Sequence, residues 1–156
     1  MKVAKAIYEE VSKKNKADLK KVKETKIEDL EQYDLVFLGS PTHAFDLSSP
    51  VKRILTALPE APKYKLAGFI THMSPMSENH AGHDRCFASF GKVSKEKHVE
   101  FRGVYDCQGV PAPQVREFVK QSMNVPDAEW EKRVKEMEKH PSTEDLQKAK
   151  AFAKEG

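Results

Sequence analysis

Four apolar residues in a row, Leu35, Val36, Phe37 and Leu38, run into Gly39-Ser40-Pro41, and this stretch constrains the fold more than any other. A half-buried strand would place a polar residue at every second position. A continuous apolar run reads instead as a strand covered on both faces, as in a parallel sheet between helices. Lys65 to Thr71 (KLAGFIT) repeats the pattern, and His98 to Cys107 carries Val99, Phe101, Val104 and Tyr105 with one slip in the alternation at Gly103. Between the first two strands, Ser49 as N-cap and Pro50 at the first helical position predict a helix to about Leu58.

The other segments supply the covering layers. In MKVAKAIYEE, Val3, Ile7 and Val11 fall four apart and give an amphipathic helix with no N-cap residue or earlier element before it. Asn15 to Glu24 alternates weakly and is crowded with lysines, which suits a charged edge strand. KIEDLEQ reads as a short helical connection, and a helix begins near Asp84. Pro113 to Met123 is expected to be a helix with Val115, Phe118 and Val119 inward. Two more helices follow, one from Pro126 with Trp130, Val134 and Met137, the other from Ser142 with Asp145 at the capping-box position. The alternation implies an α/β three-layer sandwich with a parallel sheet.

At 156 residues, 38% hydrophobic and 33% charged, the chain fits one soluble domain. No run approaches the roughly 18 apolar residues of a membrane span, and no signal-peptide core is visible, so the cytoplasm is the expected location. The net charge of +3 is spread over helices in which lysines neighbour glutamates, which points away from nucleic acid. Cys86 and Cys107 make no disulfide framework and read as buried or idle thiols.

In open α/β sheets a ligand lies beyond the carboxyl ends of the strands, which singles out SPTHAFD, THMSPMSENH and CQGVPAP. The segment YDLVFLGSPTHAFDLSSPVKRIL resembles the third strand, ring-binding loop and third helix of flavodoxin-like proteins, a superfamily that includes NAD(P)H-dependent FMN reductases. The resemblance covers residues 1–122 and leaves 123–156 as a helical extension of the same domain. It implies FMN as cofactor, with Ser40, Pro41, Thr42, His43, Ala44 and Phe45 against the isoalloxazine ring and Thr71, His72, Met73 and Ser74 approaching from the second loop. Backbone groups there would tune the flavin's redox states, and no residue is assigned as acid or base.

The same resemblance marks what is missing. Flavodoxin-like chains open with a buried strand and a Ser/Thr/Gly-rich loop around the FMN phosphate, whereas Met1 stands where that loop would end. Three lost charge-assisted hydrogen bonds would remove on the order of 5 kcal/mol, more than a thousandfold in affinity. FMN binding is therefore expected to be weakened or lost. In the family order 2-1-3-4-5 the absent strand would leave a gap of about 9.6 Å. Direct pairing of the Ala17 segment with the Leu35 strand is the favoured closure, with homodimerisation over exposed apolar surface beside it. Filling of the slot by another chain, or a non-strand conformation of the segment, are the other ways out.

Two functions follow: a flavodoxin-like protein related to FMN-dependent electron transfer with a redox partner protein, or a cofactor-free interaction protein on the same scaffold. His72, His80, His83, Asp84 and Cys86 fall within fifteen residues, but no CxxC or HExxH pattern accompanies them. They read as incidental residues of a solvated loop, and no metal site is assigned. GSP is not GxSxG, which argues against a nucleophile-elbow hydrolase.

Overall fold

The computed structural model describes residues 1–75 and 81–156. Helix α1 (Lys2–Val11) is followed by 3-10 turns at Val22–Glu24 and Ile27–Gln32, then by strand β1 (Leu35–His43). A two-residue strand β2 (Asp46–Leu47) leads to α2 (Ser49–Ala57), β3 (Lys65–His72), α3 (Ala81–Glu96) and β4 (Phe101–Gln108). Helices α4 (Pro113–Met123), α5 (Asp127–Met137) and α6 (Thr143–Glu155) complete the chain. The sheet order is β2-β1-β3-β4, with β1, β3 and β4 parallel and β2 antiparallel to the end of β1.

Each long strand splits its side chains between two cores. Leu38, Leu66 and Ile70 meet Val51, Leu55 and Phe90 of α2 and α3 on one face. Phe37, Phe69, Tyr105 and Cys107 meet Val3 and Ile7 of α1 and Ala149 and Ala153 of α6 on the other. The three-layer α/β sandwich is therefore as expected. On β4, Phe101 and Val104 share the first core although three positions apart. Gly103, at φ +95°, supplies the extra residue, and the pairing slips between Leu66–Phe101 and Gly68–Val104. The break at Gly103 in the sequence pattern is this bulge.

Helix α6 is tied into the sheet and to α1. The Tyr105 hydroxyl donates to the Asp145 carbonyl at 2.6 Å, and Lys150 pairs with Glu9 at 3.0 Å. Ser142 and Asp145 form the capping box that the sequence predicts.

Three expectations are corrected. Asn15 to Glu24 is not a strand. Ala17, Leu19 and Val22 line a groove beside β1, but the segment pairs with nothing there and ends in a 3-10 turn. Lys and Asp are poor strand residues, and local side-chain contacts win: the Tyr33 hydroxyl donates to Asp18 at 2.6 Å, and the Lys20 ammonium lies 5.8 Å from the Tyr33 ring centroid. The favoured pairing of this segment with the Leu35 strand is therefore not formed. Second, α4 buries no residue; Val115 and Phe118 are exposed, because α6 rather than α4 covers the sheet beside α1. Third, the N-cap of α2 is Ser48, one residue before the expected Ser49.

Among the described residues no strand pairs with the outer edge of β1 from Leu35 to Pro41. A groove of about 700 Å³ follows this edge, between the apolar stripe of α1 (Val3, Ile7, Val11) and β1, and it ends at Pro41, Thr71 and Met1. No helix among the described residues is long and apolar enough to cross a membrane.

Candidate functional site

The carboxyl ends of β1, β3 and β4 converge at one end of the sandwich, and two clusters form there. The first is the turn joining β1 to β2. Thr42 pairs with Leu47 and His43 with Asp46, so Ala44 and Phe45 are the two central residues of a tight hairpin. Both have positive φ, 49° and 64°, as a twisted two-residue hairpin requires. Neither is glycine, so the turn holds a backbone conformation that L-residues with a Cβ seldom adopt. The result is an aromatic ring 62% exposed at the end of the sheet.

Buried contacts hold this hairpin. Ser40 is buried, its hydroxyl donates to the Pro41 carbonyl at 2.7 Å, and it accepts from the Ser48 N–H at 2.9 Å. Asp46 accepts from Lys52 at 2.9 Å and from the Leu47 N–H at 2.7 Å. The Lys52 ammonium, opposed by partial burial and helped by the Leu47 N–H, holds the Asp46 carboxyl below its ordinary 3.8. Behind the turn, burial pushes the Cys86 thiol up to about 11. The Cys86 sulfur faces the Phe45 carbonyl at 3.8 Å.

The second cluster lies between β3, β4 and the start of α3. His72 is buried on β3; its Nδ1 stands 3.0 Å from the Ser74 carbonyl and its Nε2 3.2 Å from Asp106 Oδ2 on β4. The His83 ring, buried in the first turn of α3, meets the His72 ring edge-on at a centroid distance of 3.7 Å. Gln108 donates to the Met73 carbonyl at 2.9 Å and the Gly109 N–H to the His72 carbonyl at 2.7 Å, which clamps the loop after β3 onto β4.

Of the sequence-predicted ring contacts, Pro41, His43, Ala44 and Phe45 are exposed and Thr42, Thr71, Met73 and Ser74 half-buried, all near the strand ends. Ser40 and His72 are buried and engaged in the contacts above. Among the metal-type residues, His72 and His83 come together; His80 lies outside the described residues. Asp106, thirty-four residues from His72, was not singled out from the sequence. Its signal was the sheet itself: with Ile70 opposite Asp106 and His72 opposite Gln108, His72 and Asp106 are diagonal neighbours.

A family model described as a flavodoxin domain matches residues 1–154. The chain belongs to the flavodoxin domain family. The match takes in α5 and most of α6. The family is one of flavin-related electron transfer. Among solved structures, the chain is similar to rubredoxin oxygen:oxidoreductase from the anaerobe Desulfovibrio gigas, with a TM-score of 0.62 and 13% identity. That likeness covers 98% of this chain and 31% of the oxidoreductase, so the flavodoxin-like chain spans about a third of its length. At this identity it shows the fold alone. No curated protein matches the sequence at a significant level.

Proposed function

We propose that this flavodoxin-family chain takes a flavin at the carboxyl end of its sheet and serves electron transfer to a redox partner protein. The observation that carries this reading is the strained Ala44-Phe45 turn, which presents an exposed aromatic ring where an open α/β sheet binds its ligand. The residues fit the ring half of the cofactor. Phe45 and Pro41 offer apolar surface, and the backbone of Thr42 to Phe45 and of Met73 and Ser74 offers hydrogen bonds to ring edges. Buried Ser40 and His72 act from behind, fixing the two loops.

For the phosphate, the chain offers the first N–H groups of α1. The first turn of α1 carries no acidic residue, so its positive end suits an anion. Met1 and Thr71 lie at the same end of the groove. Bound flavin supplies the one- and two-electron chemistry, and the chain supplies ring stacking, backbone contacts and shielding from water.

Fluorescence-quenching titrations with FMN and with riboflavin test this directly. Both should bind, and the ratio of the two affinities measures what the phosphate contributes. Phe45→Ala should weaken both ligands alike. Absence of quenching with either flavin would refute this reading.

A second reading, a cofactor-free interaction domain, is supported by the groove along β1. The open edge from Leu35 to Pro41 lies beside an apolar helix face, which suits an extended apolar segment added as a strand. If neither flavin binds, this reading takes precedence. Leu35→Pro, which removes an N–H from the open edge while leaving the β1–β3 ladder its donors, is then the variant to compare in partner-binding and self-association measurements.

A further inference from the structure

We infer that His72, His83 and Asp106 form a binding site for a divalent transition-metal ion such as Zn²⁺. Their ligand atoms all lie within 4.8 Å of one another. A four-coordinate zinc with bonds of about 2.0–2.2 Å sets its ligands roughly 3.3–3.5 Å apart. The His72–Asp106 pair, at 3.2 Å, is close to that spacing. Two imidazoles and one carboxylate make a borderline N,N,O set that suits zinc, cobalt or iron and not the all-oxygen preference of calcium or magnesium.

Hydrogen bonding orients the first ligand. The Ser74 carbonyl can only accept, so the His72 nitrogen facing it, Nδ1, carries the hydrogen. That fixes Nε2 as the atom aimed at the cluster, the outer-shell arrangement that metal-binding histidines commonly show. Opposite Nε2 stands Asp106 Oδ2, a second acceptor. A cation between the nitrogen and the carboxylate would take His72 Nε2, a nitrogen of His83 and an Asp106 oxygen as ligands.

The surroundings are built for a fixed site with a way in. His72 and His83 are 4% and 3% exposed, whereas the Asp106 side chain is 26% exposed and forms the solvent side. The clamp of Gln108 on Met73 and of Gly109 on His72 holds the β3 loop against β4. Three protein ligands leave a fourth position open to water or an exchangeable ligand. The inference does not rest on flavin binding, since it uses only side chains on β3, α3 and β4.

Untagged protein, stripped with chelator, is titrated with Zn²⁺ by calorimetry and with Co²⁺ by visible absorption. One ion should bind per chain, with the intense d–d bands of a four-coordinate cobalt. His83→Gln and Asp106→Asn should each lower affinity by about tenfold or more. His98→Gln and His43→Gln, outside the cluster, should leave it unchanged. Circular dichroism of each variant identifies any that fails to fold, and His83→Asn then replaces it. No uptake at micromolar Zn²⁺, or uptake that His83→Gln and Asp106→Asn leave intact, overturns the inference.

Discussion

The Ser48 N–H donates to the Ser40 hydroxyl at 2.9 Å, and this bond helps join β1 to the start of α2 beneath the exposed turn. The Ser48 hydroxyl lies 3.1 Å from the same oxygen and makes no capping bond to α2. Ser40 is therefore a brace for the hairpin. Ser40→Ala leaves a buried N–H without its acceptor, a loss of about 1–3 kcal/mol. Thermal or urea unfolding should register that loss, while Ser40→Thr, which keeps the oxygen, should recover part of it.

Gly39 lies under the Phe69 ring, and a Cβ added there would stand 2.0 Å from the nearest ring atom. The ring is half-buried against α1 and α6 residues of the second core and borders the groove beside β1, so it must swing from its packed position to make room. Gly39→Ala should therefore destabilise by about 1–3 kcal/mol through overpacking. The double variant Gly39→Ala with Phe69→Leu should be more stable than the sum of the two single losses allows, a coupling that a double-mutant cycle in urea measures.

These two contacts show what was legible in the sequence. The apolar runs at 35–38 and 65–71, the glycine slip at 103 and the Ser142 capping box each carry their signal within a few residues, and each appears as read. The Ala17 segment is not the charged edge strand that its weak alternation and lysines suggest, because Asp18 and Lys20 settle into local contacts with Tyr33 instead. Phe118 failed for a different reason. The helical period shows that a helix has an apolar stripe, but α6, not α4, packs beside α1, and which helix wins that place is decided by long-range packing. His72, His83 and Asp106 were invisible as a set for the same reason, since strand register and the start of α3 bring them together.

Asp145 links stability to acid. Burial raises its carboxyl, but the His140 ring at 2.7 Å, the Ser142 N–H at 2.7 Å and the Ser142 hydroxyl outweigh that and hold it below the ordinary 3.8. A carboxylate depressed in the folded state adds stability above its unfolded pKa and loses it as pH falls through the folded value. The loss should set in below about pH 4. Asp145→Asn should flatten that acid limb of stability against pH, and Ser142→Ala should remove about 0.5–2 kcal/mol at neutral pH. Urea midpoints measured from pH 7 to pH 3 test both, and an acid limb unchanged in Asp145→Asn would assign it to other carboxylates.

Cys86 and Cys107 are free, buried thiols at 0% and 1% exposure, one in each core. Burial pushes their pKa values up to about 11 and about 12, so at neutral pH the nucleophilic thiolate is scarce as well as shielded. Neither should react with a disulfide reagent such as DTNB on the timescale of a native assay, and both should react once the chain is unfolded in denaturant. The rate of the slow native reaction then reports how each core opens. Cys107 sits between β4 and the α1–α6 layer, and Cys86 lies behind the exposed Phe45 turn, its sulfur 3.8 Å from the Phe45 carbonyl. Cys86 should therefore label first, and mass mapping of the modified peptide distinguishes the two. Faster labelling of Cys107 would place the weakest point of the fold along the groove beside α1 instead.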